Sequence, residues 1–190
     1  DRNGDGVRDD GEESLSGRSV FLDQNHDGLP GQSVQTFLLS DRDIPSLSTT
    51  SFTLPVEGVA GTVTDVKVTL DITNNILGLS VVLVGPRGTR VPLFSDLHAS
   101  ELSFMNATLD DQAETPIEEG PNPFTGSFTG SYRPQSALNA FQELDPNGEW
   151  RLEIENGDEG QAKLLNNWSL TLTSLEPIVE TNADGIYTFP

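Results

Sequence analysis

Val63-Thr64-Asp65-Val66-Lys67-Val68-Thr69-Leu70-Asp71-Ile72 carries a period-two pattern over most of its length. Val66, Val68, Leu70 and Ile72 alternate with Asp65, Lys67, Thr69 and Asp71. Successive side chains of an extended chain point to opposite faces, so this pattern puts one apolar face inward and one polar face outward. A helix would scatter the same apolar residues around its axis.

The same reading extends along the chain. Trp150, Leu152 and Ile154 alternate with Arg151, Glu153 and Glu155, and Trp168, Leu170 and Leu172 with Ser169, Thr171 and Thr173. Both tryptophans are therefore expected in the core rather than on a sugar-stacking surface. Leu79–Val84 is apolar almost throughout and reads as a more buried strand. Gly85-Pro86-Arg87-Gly88 then forces a turn into a strand over 91–94. Only residues 135–144 could hold a helical turn or two. Many short strands joined by Gly/Pro turns predict an all-β sandwich or barrel.

Charge narrows the partners. Thirty Asp+Glu against ten Lys+Arg give a net charge of −20, the opposite of the basic footprint that nucleic acid or an anionic membrane surface requires. No apolar run approaches the length of a membrane span. With no Cys there is no disulfide, thiolate metal site or cysteine nucleophile. The only histidines are His26 and His98. The start at Asp1 reads as a piece of a longer protein, and acidity without Cys fits a secreted or cell-surface, extracellular setting.

Composition divides the chain into three zones. Residues 1–40 open with Asp/Asn/Gly-rich loops and a strand over 19–22. Residues 41–175 carry most of the strands. Residues 176–190 return to the first style, with Asn182-Ala183-Asp184-Gly185 ahead of an expected closing strand over 186–189.

Residues 1–12 fit a twelve-residue calcium loop. Asp1, Asn3 and Asp5 supply oxygens at positions one, three and five, and Gly6 permits the sharp turn. Val7 offers its carbonyl, Asp9 reaches the ion through water, and Glu12 closes the site with two oxygens. Alternate residues aim hard oxygen donors at one centre, as a cation wanting six to eight of them requires. The flanks lack helical pattern, so this is a calcium loop on a β framework. Asp23, Asn25 and Asp27 repeat the first half only. Val34 stands where the closing acid would be, so a second calcium would need a donor from elsewhere, with Asp184 the candidate; a plain Asx turn is the alternative.

These flanks resemble the B-type repeats of serine-aspartate-repeat surface adhesins. The resemblance rests on residues 1–12, on Leu15-Ser16-Gly17-Arg18-Ser19-Val20-Phe21-Leu22-Asp23, and on Thr181-Asn182-Ala183-Asp184-Gly185-Ile186-Tyr187-Thr188-Phe189. It implies a small calcium-stiffened β-sandwich whose opening and closing strands are far apart in sequence, with a second domain inserted between them. Insertion is tolerated when a domain's own ends lie close together.

The middle of the chain resembles the P domain (Homo B domain) of proprotein convertases and related subtilisin-like proteases. Ile44-Pro45-Ser46-Leu47 is similar to its entry, and Val63 through Ile72 to its first long strand. Leu79-Ser80-Val81-Val82-Leu83-Val84-Gly85-Pro86-Arg87-Gly88-Thr89 is similar to its strand-turn signature. Thr108-Leu109-Asp110-Asp111-Gln112-Ala113, Pro123-Phe124-Thr125-Gly126, Asn147-Gly148-Glu149-Trp150-Arg151-Leu152 and the run from Gly160 to Leu170 follow in order. The fold this implies is a jelly-roll β-sandwich. The family pattern has a His and then an Asp before the strand that Leu79 opens; Asn74 and Gly78 stand there instead. In relatives that Asp helps hold calcium beside the pair found here as Asp110 and Asp111. These two are candidates for a further calcium or for loop-stabilising hydrogen bonds.

No catalytic residue is assigned. The chain has no Gly-x-Ser-x-Gly elbow, phosphate loop or zinc motif. Glu118-Glu119 sits in a Gly/Pro-rich loop without a partner at a set distance. The P-domain resemblance agrees, because the convertase catalytic residues lie in a separate subtilisin-like domain. The first functional expectation is a non-catalytic, calcium-stabilised extracellular structural or adhesion module. Its partners would be neighbouring domains of the parent chain and a cell-surface protein or glycan. The second is an accessory P domain stabilising a subtilisin-like serine endopeptidase elsewhere in the parent chain. The third is a carbohydrate-binding jelly roll. Calcium is the one cofactor expected. Asn106-Ala107-Thr108 and Asn167-Trp168-Ser169 are formal glycosylation sequons.

Overall fold

The computed structural model describes residues 14–21, 23, 26, 31–95, 97, 103–121 and 126–189. The chain divides into two compact units, one of residues 1–31 with 176–190 and one of residues 32–175.

The larger unit is a jelly-roll β-sandwich, as expected. Its strands are β2 (Gln32–Ile44), β3 (Ser48–Val56), β4 (Thr62–Thr73), β5 (Leu79–Val84), β6 (Arg90–Phe94), β7 (Phe104–Asp110), β8 (Ser131–Tyr132), β9 (Gly148–Asn156) and β10 (Lys163–Leu175). β1 (Ser19–Phe21) and β11 (Ile178–Glu180) belong to the smaller unit. One sheet has the order β2-β10-β4-β7-β8 and the other β3-β9-β5-β6. All their pairings are antiparallel except the short β7–β8 contact.

The alternating stretch is β4, third in its five-stranded sheet. Val66, Val68, Leu70 and Ile72 are all buried in one apolar cluster. β10 contributes Trp168, Leu170 and Leu172 to it; β9 of the opposite sheet contributes Trp150, Leu152 and Ile154. Each such aliphatic side chain removed from water is worth about 1.5–3 kcal/mol before entropy is counted. Trp150 and Trp168 are 1% and 0% exposed, so neither has a face for a sugar ring. The Trp150 indole N–H donates to the Pro146 carbonyl at 2.8 Å.

Alternation fails at the start of β4 for a local reason. The register with β10 slips between Thr173↔Asp65 and Ser174↔Val63, leaving Thr64 as the extra residue of a bulge. Val63 and Val66 consequently both face inward although three positions apart. A second slip leaves Asn166 of β10 unpaired, and its carboxamide donates to Asp71 at 2.8 Å.

β5 and β6 form the expected hairpin. The Gly85 N–H donates to the Thr89 carbonyl and the Gly88 N–H to the Gly85 carbonyl, each at 2.9 Å. Gly85 is required by packing, because a Cβ there would lie 2.9 Å from the Phe141 ring. The helical turn expected within 135–144 is a 3-10 turn at Leu138–Phe141.

Two expectations are corrected. The first zone does not run to residue 40: β2 begins at Gln32 and pairs with β10 along its length, so residues 32–40 belong to the larger unit. The closing strand is also displaced. β1 pairs with β11, Val20 opposite Val179, and not with residues 186–189. Asn182 turns the chain away from extended pairing, its side-chain oxygen accepting the N–H groups of Asp184 and Ile186, both at 2.9 Å. Ile186 and Tyr187 are left exposed beyond the turn.

Candidate functional site

The outward face of β4 carries the residues that sequence reasoning passed over. Lys67 is the register partner of Asp110 at the end of β7, and its ammonium lies 2.7 Å from Asp110 Oδ2. The other Asp110 oxygen accepts the Gln112 N–H at 2.8 Å, closing an Asx turn. Asp111 spans a longer distance along the chain. Its Oδ1 accepts the Leu138 N–H at 2.9 Å and its Oδ2 the Asn139 N–H at 2.8 Å. It thereby caps the 3-10 turn, whose own N-cap Ala137 has no acceptor.

Asp65 stands 3.9 Å from Lys67. Burial pushes the Asp65 carboxyl above the usual carboxylate range; Asp110 and Asp111 add to the effect, and Lys67 opposes it. The hydrogen bond to Asp110 holds the Lys67 ammonium above its ordinary value, against the opposing effect of its own partial burial. Asp65, Asp111, Arg133, Asn139 and Gln142 line a cleft of about 460 Å³. Chemically, the arrangement is a hydrogen-bonded polar brace in which Lys67 offsets only part of the charge of Asp65, Asp110 and Asp111. It joins β4, β7 and the 3-10 turn, with Asp110 and Asp111 both accepting hydrogen bonds from backbone N–H groups. The missed signal was cross-strand: Lys67 sits on the polar face of β4, and only the register reveals Asp110 opposite it.

The other candidates fall as follows. Asp1, Asn3, Asp5, Val7, Asp9, Glu12, Asn25, Asp27 and His98 lie outside the described residues. Asp23 is half-buried, and Asp184 sits exposed in the Asn182 turn, both in the smaller unit. Among the described residues, no three carboxylate or imidazole side chains converge on a common metal position. Glu118 and Glu119 are exposed on a short 3-10 turn, Ile117–Glu119. Tyr132 is half-buried, edge-on to Phe128 with ring centroids 5.2 Å apart. Asn106 is exposed on β7 and Asn167 half-buried on β10.

The sandwich has counterparts among solved structures. It is similar to a serine protease of Aeromonas sobria, both in its complex with the chaperone and alone. The first comparison has a TM-score of 0.52 at 21% identity and covers 80% of this chain; the second has 0.50 at 22% and covers 79%. In each case the chain spans only 28% of the protease's length. At such identities the likeness is one of fold. No curated protein sequence matches the chain. The model of the proprotein convertase P-domain family matches residues 63–172, from the inward Val63 of the β4 bulge to Leu172 of β10. The chain therefore belongs to the proprotein convertase P-domain family.

Proposed function

We propose that this chain is a non-catalytic accessory domain that packs on and stabilises a subtilisin-like serine endopeptidase domain of the same parent protein. The observation that carries this reading is the family match over residues 63–172, which falls wholly inside the larger unit. That unit has its own apolar core, as an autonomous supporting module needs. The chain's net charge of −20 and its lack of Cys are compatible with a secreted protease. The test is the parent polypeptide itself. The expected result is a Ser/His/Asp protease domain whose activity and melting temperature fall when residues 32–175 are removed. Asp/Asn/Gly-rich repeats on both sides, with no protease domain, would overturn it.

A second reading concerns the smaller unit. The donor set of residues 1–12 supports calcium: Asp1, Asn3, Asp5, the Val7 carbonyl, Asp9 and Glu12 are all hard oxygen donors at the spacing such a loop requires. Bound calcium would offset the mutual repulsion of these acids and stiffen the loop that leads to β1. In that role the module mounts the jelly roll as a structural or adhesion unit.

A further inference from the structure

Lys163, the first residue of β10, has a side chain with no exposed surface, in a chain whose acids outnumber its bases threefold. Its ammonium touches two groups. It donates to Asn75 Oδ1 at 2.9 Å and to Asp158 Oδ2 at 2.9 Å. The Asn75 carboxamide is held from three sides. Its Oδ1 also accepts the Leu77 N–H at 3.1 Å, and its Nδ2 donates to Gln161 Oε1 at 3.0 Å. Asn74 and Asn75 both adopt left-handed backbone, with φ of 67° and 60°. Asn is one of the few non-glycine residues that tolerate that region, so the turn can aim the Asn75 carboxamide without a glycine at either position. Asn156 fixes the opposite wall: its Nδ2 donates to the carbonyls of Pro45 and Gln161, and its Oδ1 accepts the Asp158 N–H.

An amine nucleophile, a carboxamide carbon and a carboxylate thus meet in a site closed to water around the amine. Cγ of Asn75 lies one C=O bond, about 1.2 Å, beyond the oxygen that Lys163 already touches. We propose that Lys163 and Asn75 join through an intramolecular amide, formed without added enzyme, with Asp158 moving the protons. Asp158 takes a proton from Lys163 Nζ, and the neutral amine attacks Cγ of Asn75, forming the Nζ–Cγ bond. The Leu77 N–H meets the charge that develops on Oδ1. A second proton passes from Nζ by way of Asp158 to Nδ2, the Cγ–Nδ2 bond breaks, and ammonia departs. It takes the proton left on Asp158 and leaves as ammonium, with no change of oxidation state. The cleft lined by Asn74, Asn75, Gly160, Gln161 and Ala162 gives it a way out. Holding the reactants in place replaces the catalyst that the same reaction needs in solution.

The experiment is intact mass spectrometry of the full chain, folded, aged at neutral pH and then denatured. The expected mass is that of the sequence less one ammonia. Digestion should give a branched peptide joining the segments that contain residues 75 and 163. Asn75→Ala and Asp158→Asn, each checked for a cooperative melt, should keep the full mass; Asn75→Asp should lose water in place of ammonia. A wild-type chain that retains its full mass overturns the proposal. So does ammonia lost without the branched peptide, the mark of a succinimide at a site such as Asn147-Gly148.

Discussion

Asp111 and Leu138 are joined across 27 residues of chain: the carboxylate of Asp111 accepts the Leu138 N–H at 2.9 Å and, through its second oxygen, the Asn139 N–H at 2.8 Å. One side chain thereby satisfies two N–H groups at the start of a helical turn and ties it to the end of β7. Loss of a capping acceptor costs about 0.5–2 kcal/mol. Asp111→Ala should lower the melting temperature by roughly 2–5 °C. Asp111→Asn, which keeps one acceptor oxygen, should recover part of that. Calorimetry on the three proteins checks the order.

The neighbouring charges give a pH signature of defined sign. Burial, reinforced by Asp110 and Asp111, raises the Asp65 carboxyl, so the folded state holds that proton more tightly than the unfolded chain does. The stability this contributes is present in full below the ordinary Asp value of about 3.9 and is lost as pH rises through the folded value. At neutral pH the ionised Asp65 is thus a liability. Asp65→Asn should raise the melting temperature at pH 7, and the gain should vanish in acid. Melts of both proteins across that range decide it.

Lys67 behaves in the alkaline range. Its raised value means that the stabilisation from Asp110 persists up to the ordinary lysine value of about 10.4 and is lost as pH rises through the folded value. The Lys67 side chain is 38% exposed, and solvent screening keeps the effect to about 1 kcal/mol or less. Lys67→Met should remove that alkaline step from the stability curve.

Gly85 tests the packing of the hairpin. Its α-carbon faces the Phe141 ring, which is fully buried and tilted against Trp150 with centroids 4.9 Å apart. A methyl group there forces that ring to move in a close-packed core, at a cost of about 1–3 kcal/mol. Gly85→Ala should lower the urea midpoint without changing the slope.

Much of the sandwich was legible because its central strands are buried on one face and wet on the other. β4, β9 and β10 show this as alternation, and β5 as an apolar run. β2 was passed over because it is an edge strand: Val34 and Leu38 are 62% and 65% exposed, and Phe37-Leu38-Leu39 breaks the period of two. β3 hides its signal in Thr and Ser, with Phe52, Leu54 and Val56 buried only in its second half. Pro55 is tolerated there because β3 is also an edge. The expected strand over 186–189 failed because composition cannot register the Asn182 turn. Asp110 and Asp111 were visible as a pair, but Lys67 and the Leu138 turn became their partners only through strand register and chain return. The Lys163 cluster was invisible for the same reason, since Asn75, Asp158 and Lys163 are brought together by the pairing of β4 with β10 and the turn before β10.

The calcium reading has its own test in thermal scans with millimolar calcium and with chelator. Extracellular calcium modules bind with dissociation constants on the order of 10⁻⁴ to 10⁻³ M, so millimolar calcium should raise the melting temperature by mass action. Asp5→Ala should shrink that rise. Identical melts in all conditions would leave residues 1–12 as solvated acidic turns.

The most direct test of the accessory role is the thermal inactivation half-time of the parent protease. It should be compared between the wild-type protein and a Leu170→Ala variant, whose core cavity costs about 2–5 kcal/mol. Leu170 is fully buried in β10, so its side chain has no surface with which to touch a separate catalytic domain. The variant is expected to lose proteolytic activity at a lower temperature and faster, with the turnover of the surviving enzyme unchanged. Equal half-times, with the domain itself shown to be destabilised, would contradict it.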